Sequence, residues 1–158
     1  KWHRVHYRKM LLSRLSTRFY SKIKLRIMDK MFFESKSRYA FDETVERLDN
    51  IIAEAGWRVT HTHDLQETMR KNGYEVLPVK VIELCNPKYA YRMLSADELR
   101  IYGNMMPCRI SVHEKADGKT YVSRMNSALF ASQIGGVVEE VMSGAYHDAE
   151  SFVAQIAE

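Results

Sequence analysis

Two cysteines at the ends of predicted strands carry the most reactive side chains in this sequence. Cys85 ends the hydrophobic run VIELC and is followed directly by Asn86 and Pro87, whereas Cys108 opens the run CRISVHE. If the two runs are neighbouring antiparallel strands, the end of the first lies opposite the start of the second. The sequence therefore predicts that two thiols, 23 positions apart in the chain, meet at one edge of a sheet.

A thiol pair in that position has three chemical uses: a redox disulfide, a soft-metal site or sulfur transfer. Cys85 comes just before a predicted helix, whose positive N-terminal end favours thiolate. Arg109, beside Cys108, is expected to add to that effect. The alternative is plain packing, because free cysteine is among the residues most often buried. The sequence leaves both interpretations open.

Aromatic and methionine side chains crowd the segment between the two cysteines, where they could cover a ligand. The predicted ligand-binding residues are Cys85, Asn86, Tyr89, Met106, Cys108 and Arg109. Core packing explains the tyrosine and the methionine equally well. No motif indicates a particular cofactor, so the prediction is a small-molecule ligand of unspecified type.

No motif in the sequence identifies a catalytic residue, and whether the protein is an enzyme is left open. The glycines are too scattered for a phosphate-binding loop, and no serine lies in a nucleophile elbow. His61 and His63 share a predicted strand, but their spacing is not that of a closed zinc site. We therefore assign no metal ligands from the sequence.

The elements that must position the thiols begin with the run MFFESKS, which predicts a strand, and FDETVERLDNIIAEAG, which predicts a helix. The next run, WRVTHTHDL, alternates with period two and predicts a second strand. One face of that strand is predicted to carry Trp57, Val59, His61, His63 and Leu65. A short helix QETMRK and a long strand YEVLPVKVIELC follow, and Asn86 with Pro87 predicts the start of another helix.

The second half of the chain predicts a hairpin and then helices. MPCRISVHEKADGKTYVSRM has two strands joined at Asp117-Gly118. The periodicity of NSALFASQIGGVVEEVMSG predicts one helix that ends at Gly144, and Asp148 is predicted to cap a last helix. Together these elements predict an α+β fold of two layers, an antiparallel sheet of about five strands with helices on one face.

Length and composition allow one domain with a substantial core, since the chain has 158 residues of which 46% are hydrophobic. We predict that residues 31–158 form this single α+β domain. Two cysteines do not make a disulfide framework, and no run of 18 apolar residues occurs. A reducing, cytoplasmic location is therefore expected.

Residues 1–30 are predicted to form a basic amphipathic helical arm. They hold ten of the 24 Lys and Arg and one acid, which leaves 14 basic and 19 acidic residues in the rest of the chain. An apolar stripe at helical spacing is accompanied by basic residues at steps of four. The stripe is Leu12, Leu15, Phe19, Ile23 and Ile27, and the basic residues are Arg14, Arg18, Lys22 and Arg26.

Such an arm suits an anionic surface on the inner face of a membrane, or a partner protein. The same helix could pack on its own domain or on a second copy of the chain, as in a homodimer. Nucleic acid is the least favoured partner, because the remainder of the chain is acidic.

Several stretches resemble the domain of unknown function 302 family of bacteria and archaea. They are FDETVERLDNIIAEAGW, ELCNPKYAYRMLS, NMMPCRISVHE and IGGVVEEVM. The resemblance covers about residues 31 to 157, and its most specific marks are Cys85-Asn86-Pro87 and Pro107-Cys108. It implies a TATA-binding-protein-like α+β fold and no particular activity, because the family has no established one. The arm and the THTHD stretch are outside the family pattern.

Two functions follow as hypotheses. The first is a non-enzymatic binding module with a ligand pocket at the Cys85 and Cys108 end, tethered by its arm. The second is a thiol-dependent redox, sulfur-transfer or soft-metal protein that uses both cysteines directly.

Overall fold

Five strands form one antiparallel sheet in the computed structural model, which describes residues 31–158. The strands are β1 (Phe32–Lys36), β2 (Arg58–Asp64), β3 (Val79–Cys85), β4 (Cys108–Glu114) and β5 (Thr120–Met125). Their spatial order is β1-β5-β4-β3-β2, and every neighbouring pair is antiparallel. The predicted pairing of the two cysteine-bearing strands, β3 and β4, is confirmed.

Helices connect β1 to β2, β2 to β3 and β3 to β4, and two more helices follow β5. They are α1 (Phe41–Glu54), α2 (Leu65–Lys71), α3 (Pro87–Leu94), a 3-10 helix (Asp97–Met105), α4 (Ser127–Ala131) and α5 (Gly136–Ala154). Side-chain oxygens of Asp64, Asn86 and Asn126 accept backbone hydrogen bonds in the first turns of α2, α3 and α4. These residues begin their helices because each satisfies an N–H group that has no partner within the helix.

The main core lies between one face of the sheet and helices α1 and α5. Its fully buried members from the sheet are Ile82, Leu84, Ile110, Val112 and Val122, and those from the helices include Leu48, Ile52, Phe152 and Val153. A second buried cluster consists of Met93, Ala131, Val138, Val141 and Met142, contributed by α3, α4 and α5. The predicted α+β class, with helices packed on one face of the sheet, is confirmed.

The predicted alternation of β2 is wrong in its second half. Val59 pairs with the buried Leu84, but His61 pairs with Glu83, so an extra residue bulges out between Val59 and His61. A bulge of one residue reverses which face the following side chains occupy. His61 and His63 therefore lie on the open face of the sheet and not beside the core-facing residues that precede them.

The last helical segment is two helices and not the single helix that periodicity predicted. Gly135 has φ +80° and Gly136 has φ +57°, in the left-handed region that L side chains rarely adopt, so the chain turns between α4 and α5. Gly144, predicted as a stop, and Asp148, predicted as a cap, both lie inside α5. That helix runs without interruption for 19 residues.

The strand predicted over residues 74–85 is shorter than expected, since β3 begins only at Val79. Pro78 has no N–H group to give to a ladder and stands just before the strand. Its carbonyl still accepts a hydrogen bond of 2.9 Å from the Glu114 backbone N–H. Proline thus marks the beginning of β3.

The basic helix predicted over residues 1–30 lies outside the described residues. Within residues 31–158, none of the helices has both the length and the apolar character to cross a membrane.

Candidate functional site

The two thiols lie at the same end of the sheet. Cys108 pairs with Leu84 across β3 and β4, and Cys85 follows Leu84 directly in the chain. Both cysteines are free and partly buried. They line a narrow cavity of about 20 Å³, together with Met106 and Met142. The strand register therefore brings both thiols to one small space, as their positions in the sequence predicted.

Helix α3 contributes a wall of the narrow cavity through Tyr89. The helix begins directly after Cys85 because the Asn86 side chain accepts a hydrogen bond of 3.0 Å from the Lys88 backbone N–H, and Pro87 fits the first turn. The Tyr89 ring packs on Trp57, with ring centroids 5.7 Å apart. The CNP sequence thus has a structural role, since it turns the chain from the strand into the helix beside the thiols.

The position of the Tyr89 side chain depends on Gly144, which faces it. A methyl group at Gly144 would lie 2.8 Å from the Tyr89 hydroxyl oxygen and 3.0 Å from its ring, closer than carbon atoms normally approach. Asp148, one turn further along α5, accepts a hydrogen bond of 3.2 Å from the Trp57 indole N–H. Burial and the nearby Asp148 carboxylate raise the pKa of Tyr89. The absence of a side chain at Gly144 therefore allows α3 and α5 to pack closely beside the thiols.

The Cys108 thiol is protonated at neutral pH. Burial raises the pKa of Cys108 to about 11, and charges on Cys85 and Asp148 act in the same direction. The predicted help from Arg109 is wrong, because consecutive strand residues project to opposite faces of a sheet. The Arg109 guanidinium instead donates a hydrogen bond of 3.0 Å to Glu83. Cys108 is therefore a buried thiol and not a preformed nucleophile.

A wider cavity of about 460 Å³ also has Cys108 in its wall. Its other walls are the end of the 3-10 helix, the adjoining ends of β4 and β5, and helices α4 and α5. The lining is mostly apolar. Two apolar side chains of its wall, Phe130 and Ile134, remain 37% and 39% exposed, so this cavity is open to solvent beside α4.

One ion pair borders the wide cavity. The Arg124 guanidinium donates two hydrogen bonds to the Glu150 carboxylate, at 2.5 and 2.6 Å, and a third to the Ser35 hydroxyl at 2.8 Å. A two-point pair of this kind is among the strongest that side chains form. The positive charge of Arg124 is therefore already compensated within the protein.

The predicted ligand-binding residues divide between the two cavities. Cys85, Asn86, Tyr89 and Met106 line the narrow one, Arg109 lines the wide one, and Cys108 lines both.

The sequence patterns did not indicate Arg124, Phe130 and Ile134 as residues of the wide cavity. A signal for Arg124 existed, because it stands two positions after the buried Val122 in β5, on the side where alternation predicts an apolar residue.

The opposite, open face of the sheet carries two groups of ionisable side chains. His63 and Arg109 flank Glu83, at 3.3 and 2.9 Å, and the Arg109 hydrogen bond holds the pKa of Glu83 below its usual range. His113 and Lys115 flank Glu34 in the same way. Across residues 31–158, no three or more His, Cys, Asp and Glu side chains are grouped so that they could hold a metal ion.

The fold and the two cavities define an α+β domain with its candidate site at one end of the sheet. Residues 33–156 match the family described as Domain of unknown function DUF302, and the chain belongs to that family. The resemblance seen in the sequence is thereby confirmed.

A solved structure and the curated proteins complete the comparison. The crystal structure of an uncharacterized conserved DUF302 protein from Bacillus stearothermophilus is similar, with a TM-score of 0.72 and 20% sequence identity. The match covers 80% of this chain and 98% of that chain. No curated protein matches this sequence. A likeness at this low identity shows the fold alone.

Proposed function

We propose that this domain is a non-enzymatic binding module that holds a small, uncharged and largely apolar molecule in the wide cavity. The observation that carries the proposal is the volume of about 460 Å³ with a mostly apolar lining. Pockets for small molecules typically measure roughly 300–1,000 Å³ and combine apolar walls with a few polar groups. Asn104 and Gln133 are neutral polar residues of this wall.

The charges around the cavity favour an uncharged ligand. Arg124 is compensated by Glu150, and Arg109 is compensated by Glu83 on the open face. A charged ligand would have to lose its hydration in an apolar space without gaining a free counter-charge, which is costly. The protonated Cys108 thiol adds no charge at neutral pH. The same protonation disfavours Cys108 as the attacking group in redox or sulfur-transfer chemistry, since the attacking group is a thiolate.

The test uses Nile red, a neutral apolar dye, with the full chain. We expect the dye to bind with increased fluorescence, and Ile134→Trp to weaken binding at least about tenfold because the larger ring occupies the open side of the cavity. Ile101→Trp is the matched control, because Ile101 is 74% exposed on the 3-10 helix and is not part of the wall. Equal binding by the protein and both variants would refute the cavity as the binding site.

For the arm, we propose that residues 1–30 attach the domain to an anionic membrane surface. The support is the sequence pattern of an apolar stripe beside four basic residues at steps of four. Each basic residue near such a surface contributes about 1 kcal/mol. An acidic remainder of the chain is repelled by the same surface, so the attraction must come from the arm.

Vesicle sedimentation of the full chain tests this attachment. Changing Arg14, Arg18, Lys22 and Arg26 to Gln should weaken binding to phosphatidylserine vesicles by up to about a thousandfold, from roughly 4 kcal/mol of lost attraction. A control with the same change of net charge replaces Arg58, Lys71, Lys88 and Arg100 by Gln and should weaken binding far less than the change in the arm. Failure to bind anionic vesicles would refute membrane attachment and leave a partner protein. Equal binding to neutral vesicles would refute the attraction to an anionic surface.

A further inference from the structure

Four sulfur-bearing side chains line the narrow cavity, and this concentration is independent of the proposed ligand in the wide cavity. Cys85 and Cys108 come from the ends of β3 and β4, Met106 follows the 3-10 helix, and Met142 comes from α5. The rest of the wall is predominantly apolar and includes Trp57. Two strand ends, the segment after the 3-10 helix and α5 therefore bring sulfur-bearing residues to a space of about 20 Å³.

We propose that the narrow cavity is a binding site for Cu(I), held by the Cys85 and Cys108 thiolates with the Met106 and Met142 thioethers as additional ligands. Thiolates and thioethers are the ligands that select Cu(I) among biological metals. A cavity of about 20 Å³ has room for a single ion and excludes an organic ligand. Monovalent copper also suits an apolar wall, because the charge to be desolvated is smaller than that of a divalent ion.

Other metals fit the same residues poorly. Zinc in closed protein sites takes four ligands from Cys, His, Asp and Glu. The only residues of these types in the cavity wall are the two cysteines. The nearest paired histidines, His61 and His63, lie on the open face beside Glu83 and face away from the core. Hard cations such as Mg²⁺ and Ca²⁺ require several oxygen ligands, and the only lining residues with side-chain oxygens are Asn86 and Tyr89.

Binding of copper to this site requires no change of oxidation state. Two neutral thiols each lose a proton to solvent, two sulfur–copper bonds form, and copper remains Cu(I). Copper binds the thiolate form of cysteine, so each thiol that holds a proton must release it when copper binds. The apparent affinity should therefore rise with pH, by up to about tenfold per unit for each thiol proton released. Proton release distinguishes this mode from copper bound by thioethers alone.

Competition with the coloured Cu(I)–bicinchoninate complex measures the affinity on the reduced full chain under anaerobic conditions. We expect one Cu(I) per chain, with thiolate-to-copper absorption in the ultraviolet and close to two protons released in weak buffer. Cys85→Ser and Cys108→Ser should each weaken binding by more than about 100-fold, since even an outer-shell change costs about 10–100-fold. Met106→Leu should weaken it about tenfold.

Two matched controls test whether copper binds in the narrow cavity and not elsewhere on the chain. Met69→Leu, on α2, changes a methionine that does not line the cavity and should leave the affinity unchanged. His3→Ala with His6→Ala removes both imidazoles of residues 1–30 and should likewise have no effect. Loss of binding in the histidine double variant, or full binding in both cysteine variants, would overturn the proposal. Zn(II) that displaces Cu(I) at equal concentration would overturn it as well.

Circular dichroism decides whether each cysteine variant is folded. If one is not, X-ray absorption at the copper edge of the unchanged, loaded protein still gives a result. A nearest shell of sulfur only supports the site, whereas nitrogen or oxygen in that shell contradicts it.

Discussion

The narrow and the wide cavity share part of one wall but differ in how they are bounded. Their common residues are Pro107, Cys108, Met142 and Ala145. Close packing confines the narrow cavity, because Gly144 lets Tyr89 approach α5 without a side chain between them. The wide cavity borders the turn at Gly135 and Gly136, where α4 ends and α5 begins in a new direction. Glycine thus acts in opposite ways, by allowing close contact at one position and a change of direction at two others.

This difference separates two classes of ligand by size. About 20 Å³ fits one ion, and about 460 Å³ fits an organic molecule, although the same Cys108 side chain lines both spaces. A ligand in either cavity would contact residues of the wall that the two cavities share. The following substitutions test whether the two cavities are distinct.

Met142→Ala should have the largest effect on stability. Met142 is only 2% exposed and lines both cavities, so its removal would join them. We expect the free energy of unfolding in urea to fall by about 2–5 kcal/mol, the usual cost of such a truncation in a core. Ile134→Ala, at a residue that is 39% exposed, should cost less than about 1 kcal/mol. A similar loss of stability in both variants would mean that the shared wall contributes no more to the free energy of unfolding than the open side of the wide cavity does.

The next effect concerns the buried thiol and is seen at high pH. The pKa of Cys108 is about 11 in the fold against an ordinary value of 9.0. Above pH 9 the unfolded chain loses the thiol proton and the folded chain keeps it. Stability that is fully present below pH 9 is therefore lost as the pH approaches 11, by roughly 2–3 kcal/mol. The free energy of unfolding, measured in urea, should fall more steeply with pH across this range for the unchanged protein than for Cys108→Ser. Parallel curves would show that Cys108 is not desolvated.

The sheet and the thiol pair could be predicted because each depends on local, short-period signals. Alternating apolar residues defined the strands, and Asp117-Gly118 joined β4 to β5 in the expected hairpin. Neighbouring antiparallel strands then fixed where Cys85 and Cys108 would meet. Little of this required knowledge of contacts between distant parts of the chain.

The rest of the site depended on contacts that leave no local signal. Gly144 has the spacing of a helix stop, but glycine is required there because Tyr89, 55 positions earlier in the chain, packs against it. Asp148 has the character of a helix cap, but it accepts a hydrogen bond from Trp57. The bulge in β2 also escaped prediction, because THTH alternates smoothly in sequence whichever face each residue occupies.

Gly144→Ala should have an intermediate effect and tests the close packing directly. Its methyl group would lie 2.8 Å from the Tyr89 hydroxyl oxygen, which predicts a cost of about 1–3 kcal/mol from overpacking. The better helix propensity of alanine offsets up to about 1 kcal/mol of that cost.

The control for Gly144→Ala is the double variant with Tyr89→Phe, which removes the hydroxyl group that causes the shortest contact. Urea unfolding should show that Tyr89→Phe restores part of the stability lost in Gly144→Ala. If the two changes are simply additive, Tyr89 is not what requires glycine at this position.

Glu140→Gln should have the smallest effect, although it breaks a visible link between α3 and α5. Arg92 lies 2.6 Å from Glu140, but their side chains are 46% and 65% exposed, so water competes for both charges. Exposed pairs of this kind contribute about 0–1 kcal/mol, and we expect a loss of less than about 0.5 kcal/mol in urea unfolding. A larger loss than in Gly144→Ala would mean that the ion pair, and not the packing of Tyr89 beside Gly144, holds α3 against α5. The narrow cavity would then open with rising salt concentration, whereas a cavity confined by packing is insensitive to it.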